Sequence, residues 1–302
     1  MIVAALAALA LGGCGLGAGP APSAVTVTVT RDFGARLLER SGALKVSGQE
    51  TVMSLLMRNY PVSTRYGGGF VQSIDGLAGG SEGGQPVDWF YYVNGIEASA
   101  GAAATDVNSG DHIWWDRHDW SQTDDVPAVV GAFPEPFLNG LAGKRWPVRI
   151  ECASVEGSAC RTVTERLRAV GVPAAIAAIG SGGEPQTLRV IVAPWDTVQG
   201  DLGAQELRGG PRASGVYAQF LDGGRSLALL DQDGHTERTL AGDGGLVAAT
   251  RQAEDAPVWL VTGTDSAGVD LAARAFNQPT LEDRFAVAVS ATGVLALPLA
   301  AP

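Results

Sequence analysis

Apolar and polar residues alternate strictly from Val25 to Thr30, in the run Val-Thr-Val-Thr-Val-Thr. That period belongs to a strand buried on one face, with the valines inward. The pattern changes at Ser47-Gly48-Gln49-Glu50, which has the spacing of a capping box with Ser47 as N-cap and Glu50 reaching back. Val52, Leu55 and Leu56 then make one helical stripe, stopped by Asn59-Tyr60-Pro61. A short strand is expected near Leu44, another at about residues 70–74, and a glycine-rich loop at 76–84.

Two stronger strand patterns come next, at 89–93 and 111–118, and each holds one aliphatic residue that orients it. Val93 facing the core takes Trp89 and Tyr91 inward, and Ile113 takes Trp115. The other parity carries Phe90 and Tyr92 on one strand, and His112, Trp114, Asp116 and His118 on the next, with Trp120 if the strand runs on. Asn94-Gly95 and Ser109-Gly110-Asp111 mark turns. This second face has two readings, packing against another part of the chain or contact with a ligand, and both stay open.

Residues 128–137 are apolar but broken by Pro134 and Pro136, which predicts a connector packed against a domain. Beyond it, 148–152 reads as a strand, Ser158 as an N-cap, and Val163, Leu167 and Val170 as a helix stripe closed by Gly171 and Pro173. The continuous apolar run 188–193 is a strand of the buried kind. Residues 216–220 and 226–230 flank Asp222-Gly223-Gly224 as a hairpin. A buried strand at 258–261, a helix carrying Val269, Ala272, Ala273 and Phe276, and strands at 285–289 and 294–297 complete the alternation of an α/β layer domain.

A length of 302 residues accommodates two such domains, and 41 glycines imply many turns. The net charge of −11 argues against nucleic acid and against a polybasic membrane patch. Leu11-Gly12-Gly13-Cys14 ends an apolar run from Ile2 that has the length of a signal-peptide core and is too short to span a bilayer. Leu, two small residues and Cys match the bacterial lipobox, so residues 1–14 read as a lipoprotein signal peptide with Cys14 lipidated. No Lys or Arg precedes the run, which places the expected start of translation upstream. Residues 15–23 are a Gly, Ala and Pro tether. Cys152 and Cys160 then remain as a pair in an oxidising compartment, and a disulfide is expected.

The segments Trp89-Phe90-Tyr91-Tyr92-Val93-Asn94-Gly95 and Val107-Asn108-Ser109-Gly110-Asp111-His112-Ile113-Trp114-Trp115 resemble the two signature segments of the transcobalamin and intrinsic-factor C-terminal-like domain family. The resemblance covers about residues 25–120 and implies a β-grasp fold and one wall of a cobalamin site. The vertebrate carriers place that domain after a large helical barrel. Here a separate corrinoid-holding chain or the second domain would supply the other wall. The fold expected is α+β: an N-terminal β-grasp (ubiquitin-like) domain at 24–122, a connector at 123–145, and a C-terminal α/β layer domain at 146–302.

Catalytic patterns fail on their context. Gly79-Gly80-Ser81-Glu82-Gly83 has the spacing of a nucleophile elbow but sits in glycine loop, without the flanking strand and helix. Residues 263–268 lack the Lys-Ser/Thr ending of a phosphate loop. His112, Asp116 and His118 share a face, yet residues four and six apart on a strand are too separated to grip one ion alone, so they read as surface histidines. The expectation is a non-enzymatic, lipid-anchored extracytoplasmic protein that captures a small ligand for uptake, without a required cofactor. Phe90, Tyr92 and Trp114 would give flat contact, flanked by His112 and Trp120, while Asn94, Asp116 and His118 would hydrogen-bond a polar rim. The resemblance implies a corrinoid as ligand, and an uptake transporter is the natural partner. The rival expectation has the same aromatic face dock another envelope protein.

Overall fold

The computed structural model describes residues 24–46, 49–181 and 186–300; Cys14, the tether and Ser47 lie outside them. Its first half runs β1 (Thr26–Arg31), β2 (Arg36–Arg40), α1 (Val52–Asn59), β3 (Val62–Arg65), β4 (Phe70–Ile74), β5 (Leu77–Ala78), β6 (Gly80–Glu82), β7 (Gln85–Val93), β8 (Ile96–Glu97) and β9 (His112–Asp119). The main sheet has the order β2-β1-β9-β7-β6, with β1 parallel and β7 antiparallel to β9. The helix lays Val52, Leu55 and Leu56 on the face formed by Val27, Val29, Trp89, Tyr91, Ile113 and Trp115. The inward parity read from Val93 and Ile113 is the one found.

Two local expectations move. The capping box is Thr51 with Ser54, because the helix starts a turn later than Ser47 would begin it. Glu50 is buried and pairs with Arg58 at the far end of α1, at 2.8 and 3.0 Å. Leu44 makes only a single bridge to Val25, and regular pairing with β1 falls to Arg36–Arg40. That strand is exposed along its whole length, so its Arg-Leu-Leu-Glu-Arg sequence shows no alternation.

The second half runs β10 (Val148–Cys152), α2 (Ser158–Ala169), β11 (Ala175–Ala178), β12 (Leu188–Pro194), α3 (Trp195–Val198), α4 (Leu202–Arg208), α5 (Pro211–Ser214), β13 (Ala218–Leu221), β14 (Ser226–Leu230), β15 (Thr236–Ala241), β16 (Gly245–Thr250), β17 (Val258–Gly263), α6 (Ser266–Ala275), α7 (Gln278–Leu281), β18 (Ala286–Ser290) and β19 (Gly293–Leu297). Seven strands form one sheet, β11-β10-β12-β17-β16-β18-β19, parallel through β17 and antiparallel after it. Val190, Val261 and Val247 face α2 and α6. Ile191, Leu260, Leu246 and Ala248 face the other way, into a core shared with the β13-β14-β15 sheet. The architecture is mixed α/β, with more strand than helix.

That second core crosses between the halves: Phe33, Tyr92 and Trp114 from the first sheet pack in it with Tyr217 and Phe285. Two glycines permit the approach. A Cβ on Gly34, whose φ is +80°, would lie 1.9 Å from the Asp283 carbonyl oxygen, and one on Gly131 would lie 2.5 Å from the Arg284 nitrogen. The connector is part of the same contact, with Val129 donating to Gly95 and Val130 to Phe285 through their backbones.

Cys152 and Cys160 form a disulfide between the end of β10 and the first turn of α2, their Cα atoms 5.9 Å apart. Gly157 rather than Ser158 is the N-cap; Ser158 begins the helix and donates its hydroxyl to Asp270 of α6 at 2.7 Å. Closing so short a loop restricts the unfolded chain by about 2–3 kcal/mol. Replacing Cys160 with Ser is expected to lower the unfolding free energy by that order, read as a lower denaturant midpoint at unchanged slope.

Candidate functional site

The outer face of β7 and β9 is closed. Tyr92, Asn94, Trp114, Asp116 and His118 are each at most 2% exposed. Burial there has a polar centre. Asp116 accepts from the backbone of Phe33 (3.0 Å) and Gly34 (2.9 Å) and from the Thr30 hydroxyl, with His118 Nδ1 at 2.8 Å. Trp114 Nε1 donates to Thr30 at 2.7 Å. His118 lies between the rings of Phe33 and Phe90, with centroids 4.5 and 4.4 Å away. Asn94 commits its whole amide to holding its turn, on Asp111, Gly140 and His112.

The surface histidines expected from sequence are therefore corrected: His118 is enclosed, and His112 Nε2 sits 3.0 Å from the Thr28 hydroxyl. Burial, then the Arg40 charge, pushes the His112 imidazole down to about 4. In this arrangement Tyr92, Trp114, Asp116, His118 and Asn94 meet protein and not an open site. The second half covers them, which is the packing alternative for this face. No sequence rule separates the two, since a covering domain and a ligand ask for the same apolar side chains.

An open cavity lies elsewhere, against the edge of β7. It measures about 340 Å³ and is walled by Trp89, Tyr91, Trp115, Phe70, Met53 and Trp120. Of the residues predicted to touch a ligand, Phe90 and Trp120 reach it. Its main walls come from the inward parity, which sequence reading assigned to the core. Tyr91 stacks on Trp115 at 4.8 Å and fixes its hydroxyl on Ala100 and Thr105. Trp89 Nε1 donates to Leu77 at 3.1 Å, and Trp120, 37% exposed at the mouth, donates to Asp88 at 3.2 Å. The Trp115 indole N–H is buried without an acceptor among the described residues.

The edge itself is incomplete. β6 covers β7 at Gln85–Val87 and β8 covers Tyr92 and Val93, and among the described residues no strand pairs with the stretch between. Three acids flank the cavity, Asp88, Glu97 and Asp124. Burial raises the Asp88 carboxyl. Glu97 is pushed up to about 9, first by burial and then by its hydrogen bond to Asp125. At neutral pH it is a protonated, hydrogen-bonding acid beside an aromatic wall.

A family model described as "Domain of unknown function (DUF4430)" matches residues 49–119, the stretch from just before α1 to the end of β9. No curated protein matches the chain. Among solved structures, the chain is similar to a protein from Ruminococcus gnavus ATCC 29149 whose description reads "putative metal binding protein", at 16% identity and a TM-score of 0.26. The match covers 32% of this chain and 97% of that one.

The geometry leads to two expected outcomes. Trp114→Ala is expected to cost about 3–5 kcal/mol of stability, as a large buried truncation, measured by chemical unfolding. Glu97 has a folded pKa raised from 4.5 to about 9, so its contribution is fully present below 4.5 and is lost as pH rises through 9. Stability should fall across that window, and Glu97→Gln should flatten the fall in a pH series of thermal midpoints.

Proposed function

We propose that this is a non-enzymatic, lipid-anchored extracytoplasmic protein that binds a small flat ligand in the aromatic cavity beside β7. The cavity carries the reading: Trp89, Tyr91, Trp115 and Trp120 line one concave space with few polar groups, the composition of a ligand site. The order β2-β1-β9-β7, crossed by α1, supports a β-grasp domain and so the transcobalamin-like resemblance. Among the described residues no helix is long and apolar enough to cross a membrane, which leaves Cys14 as the proposed anchor.

The volume narrows the ligand. About 340 Å³ is at the small end for ligand pockets and accepts one flat ring system, not a whole corrinoid. If a corrinoid is the cargo, its nucleotide base is the part of the right size. The site proposed from the outer face accordingly shifts to the inner one, with Phe90 and Trp120 common to both.

A second reading rests on the bare stretch of β7. An extended segment of another envelope protein would pair with that edge and set a side chain into the cavity.

The test is a titration of the chain starting after Cys14, following tryptophan quenching and the corrinoid absorption bands. Cyanocobalamin should bind saturably, base-free cobinamide should not, and Trp120→Ala should weaken binding without lowering stability. Equal binding of both would remove the base from the cavity. Binding of neither would end the corrinoid reading and turn the search to a protein partner by pull-down.

A further inference from the structure

The hairpin of β14 and β15 turns through Asp231-Gln232-Asp233-Gly234-His235. Asp231 organises it: its Oδ1 accepts from the backbone of Asp233 at 3.0 Å and of His235 at 2.8 Å. One ligating atom each from Asp231, Asp233 and His235 then lie within 4.8 Å of one another. Asp231 is buried, whereas the His235 side chain is 77% exposed and free to adjust.

Such a cluster alone is common on surfaces; its neighbourhood is not. The end of β9 brings Asp119, 5% exposed, into the cleft that Asp233 also lines. Asp119 Oδ1 accepts from Ser121, but its buried Oδ2 has no partner among the described residues. Tyr217, 1% exposed, has an equally unpartnered hydroxyl. Burial raises that phenol, and so do the charges of Asp119, Asp233 and Asp231, which places all three carboxylates around it. Among the described residues no Arg or Lys forms an ion pair with Asp119, Asp231 or Asp233; the one cation-forming neighbour is His235, 3.5 Å from Asp231. Buried, uncompensated carboxylates are costly, and native proteins resolve them by pairing or by a metal.

We propose that Asp231, Asp233 and His235 form a divalent-cation site, completed across the junction by Asp119 and supported by the Tyr217 hydroxyl. Three carboxylates and one imidazole are a mixed oxygen and nitrogen set, which suits a zinc- or manganese-type ion better than calcium or magnesium. Tyr217 would donate to a ligating carboxylate and fix its orientation, the usual task of an outer partner. Because Asp119 belongs to the first sheet and the others to the second half, the bound ion would clamp the two together. Nothing in this inference depends on the aromatic cavity.

The experiment uses the full chain, stripped with chelator and carrying no affinity tag, titrated calorimetrically with Zn²⁺ and with Mn²⁺. One saturable site is expected, together with a metal-dependent rise in the thermal midpoint. Asp233→Asn with His235→Ala, both on the turn, should abolish binding while leaving the metal-free midpoint unchanged. Asp119→Asn should weaken binding by about 10–100-fold, as loss of a supporting ligand does. Absence of a saturable site, or a site untouched by the double variant, would overturn the proposal. So would preferential binding of Ca²⁺ indifferent to His235→Ala.

Discussion

The two halves of this molecule are held in register by one buried carboxylate. Asp116 sits on β9 with no exposed surface and accepts hydrogen bonds from the Phe33 and Gly34 backbone and the Thr30 hydroxyl, with His118 as its fourth partner. A group of this kind tolerates burial only when its lone pairs are all used. Meeting that demand bends the β1–β2 turn over β9 and sets Phe33 where it stacks on His118. Everything the second half packs against, Phe33, Tyr92 and Trp114, is arranged around that point.

Aromatic geometry then propagates the arrangement. The Phe285 ring meets Phe33, Tyr92, Trp114 and His118 edge-on, at centroid distances of 5.3 to 5.5 Å. Edge-to-face contacts add directional preference to the burial of area. Arg40 reaches across to Glu282 and Asp283 beside the same turn. Those pairs are partly exposed and add little on their own. The junction is an extension of the core, not a surface contact.

The sequence discloses the elements whose period is strict. β1, β7 and β9 alternate because one face of each is uniformly apolar, and α1, α2 and α6 show stripes for the same reason. It hides β2 and β15, which lie at exposed edges where packing does not select residues, and β16, whose Gly-Leu-Val-Ala-Ala-Thr run is buried on both faces. At the candidate site the parity was legible and the consequence was not. Trp89, Tyr91 and Trp115 were readable as inward, but a cavity is defined by the atoms missing between them, and no residue pattern records that. The Asp231 turn was passed over because its counterpart, Asp119, is more than a hundred positions away in the chain.

The shared core also bears on where this chain can be cut. A boundary after β9 looks natural from the sequence, since a proline-spaced connector comes directly after it. Yet the connector's Val129 and Val130 are wholly enclosed, and removing the second half would bare Phe33, Tyr92 and Trp114 as one contiguous apolar patch. A fragment ending there would be sticky, and a transplant of this unit into another polypeptide would first need that face repainted with polar side chains. The modular unit, for excision or for reuse, is the pair.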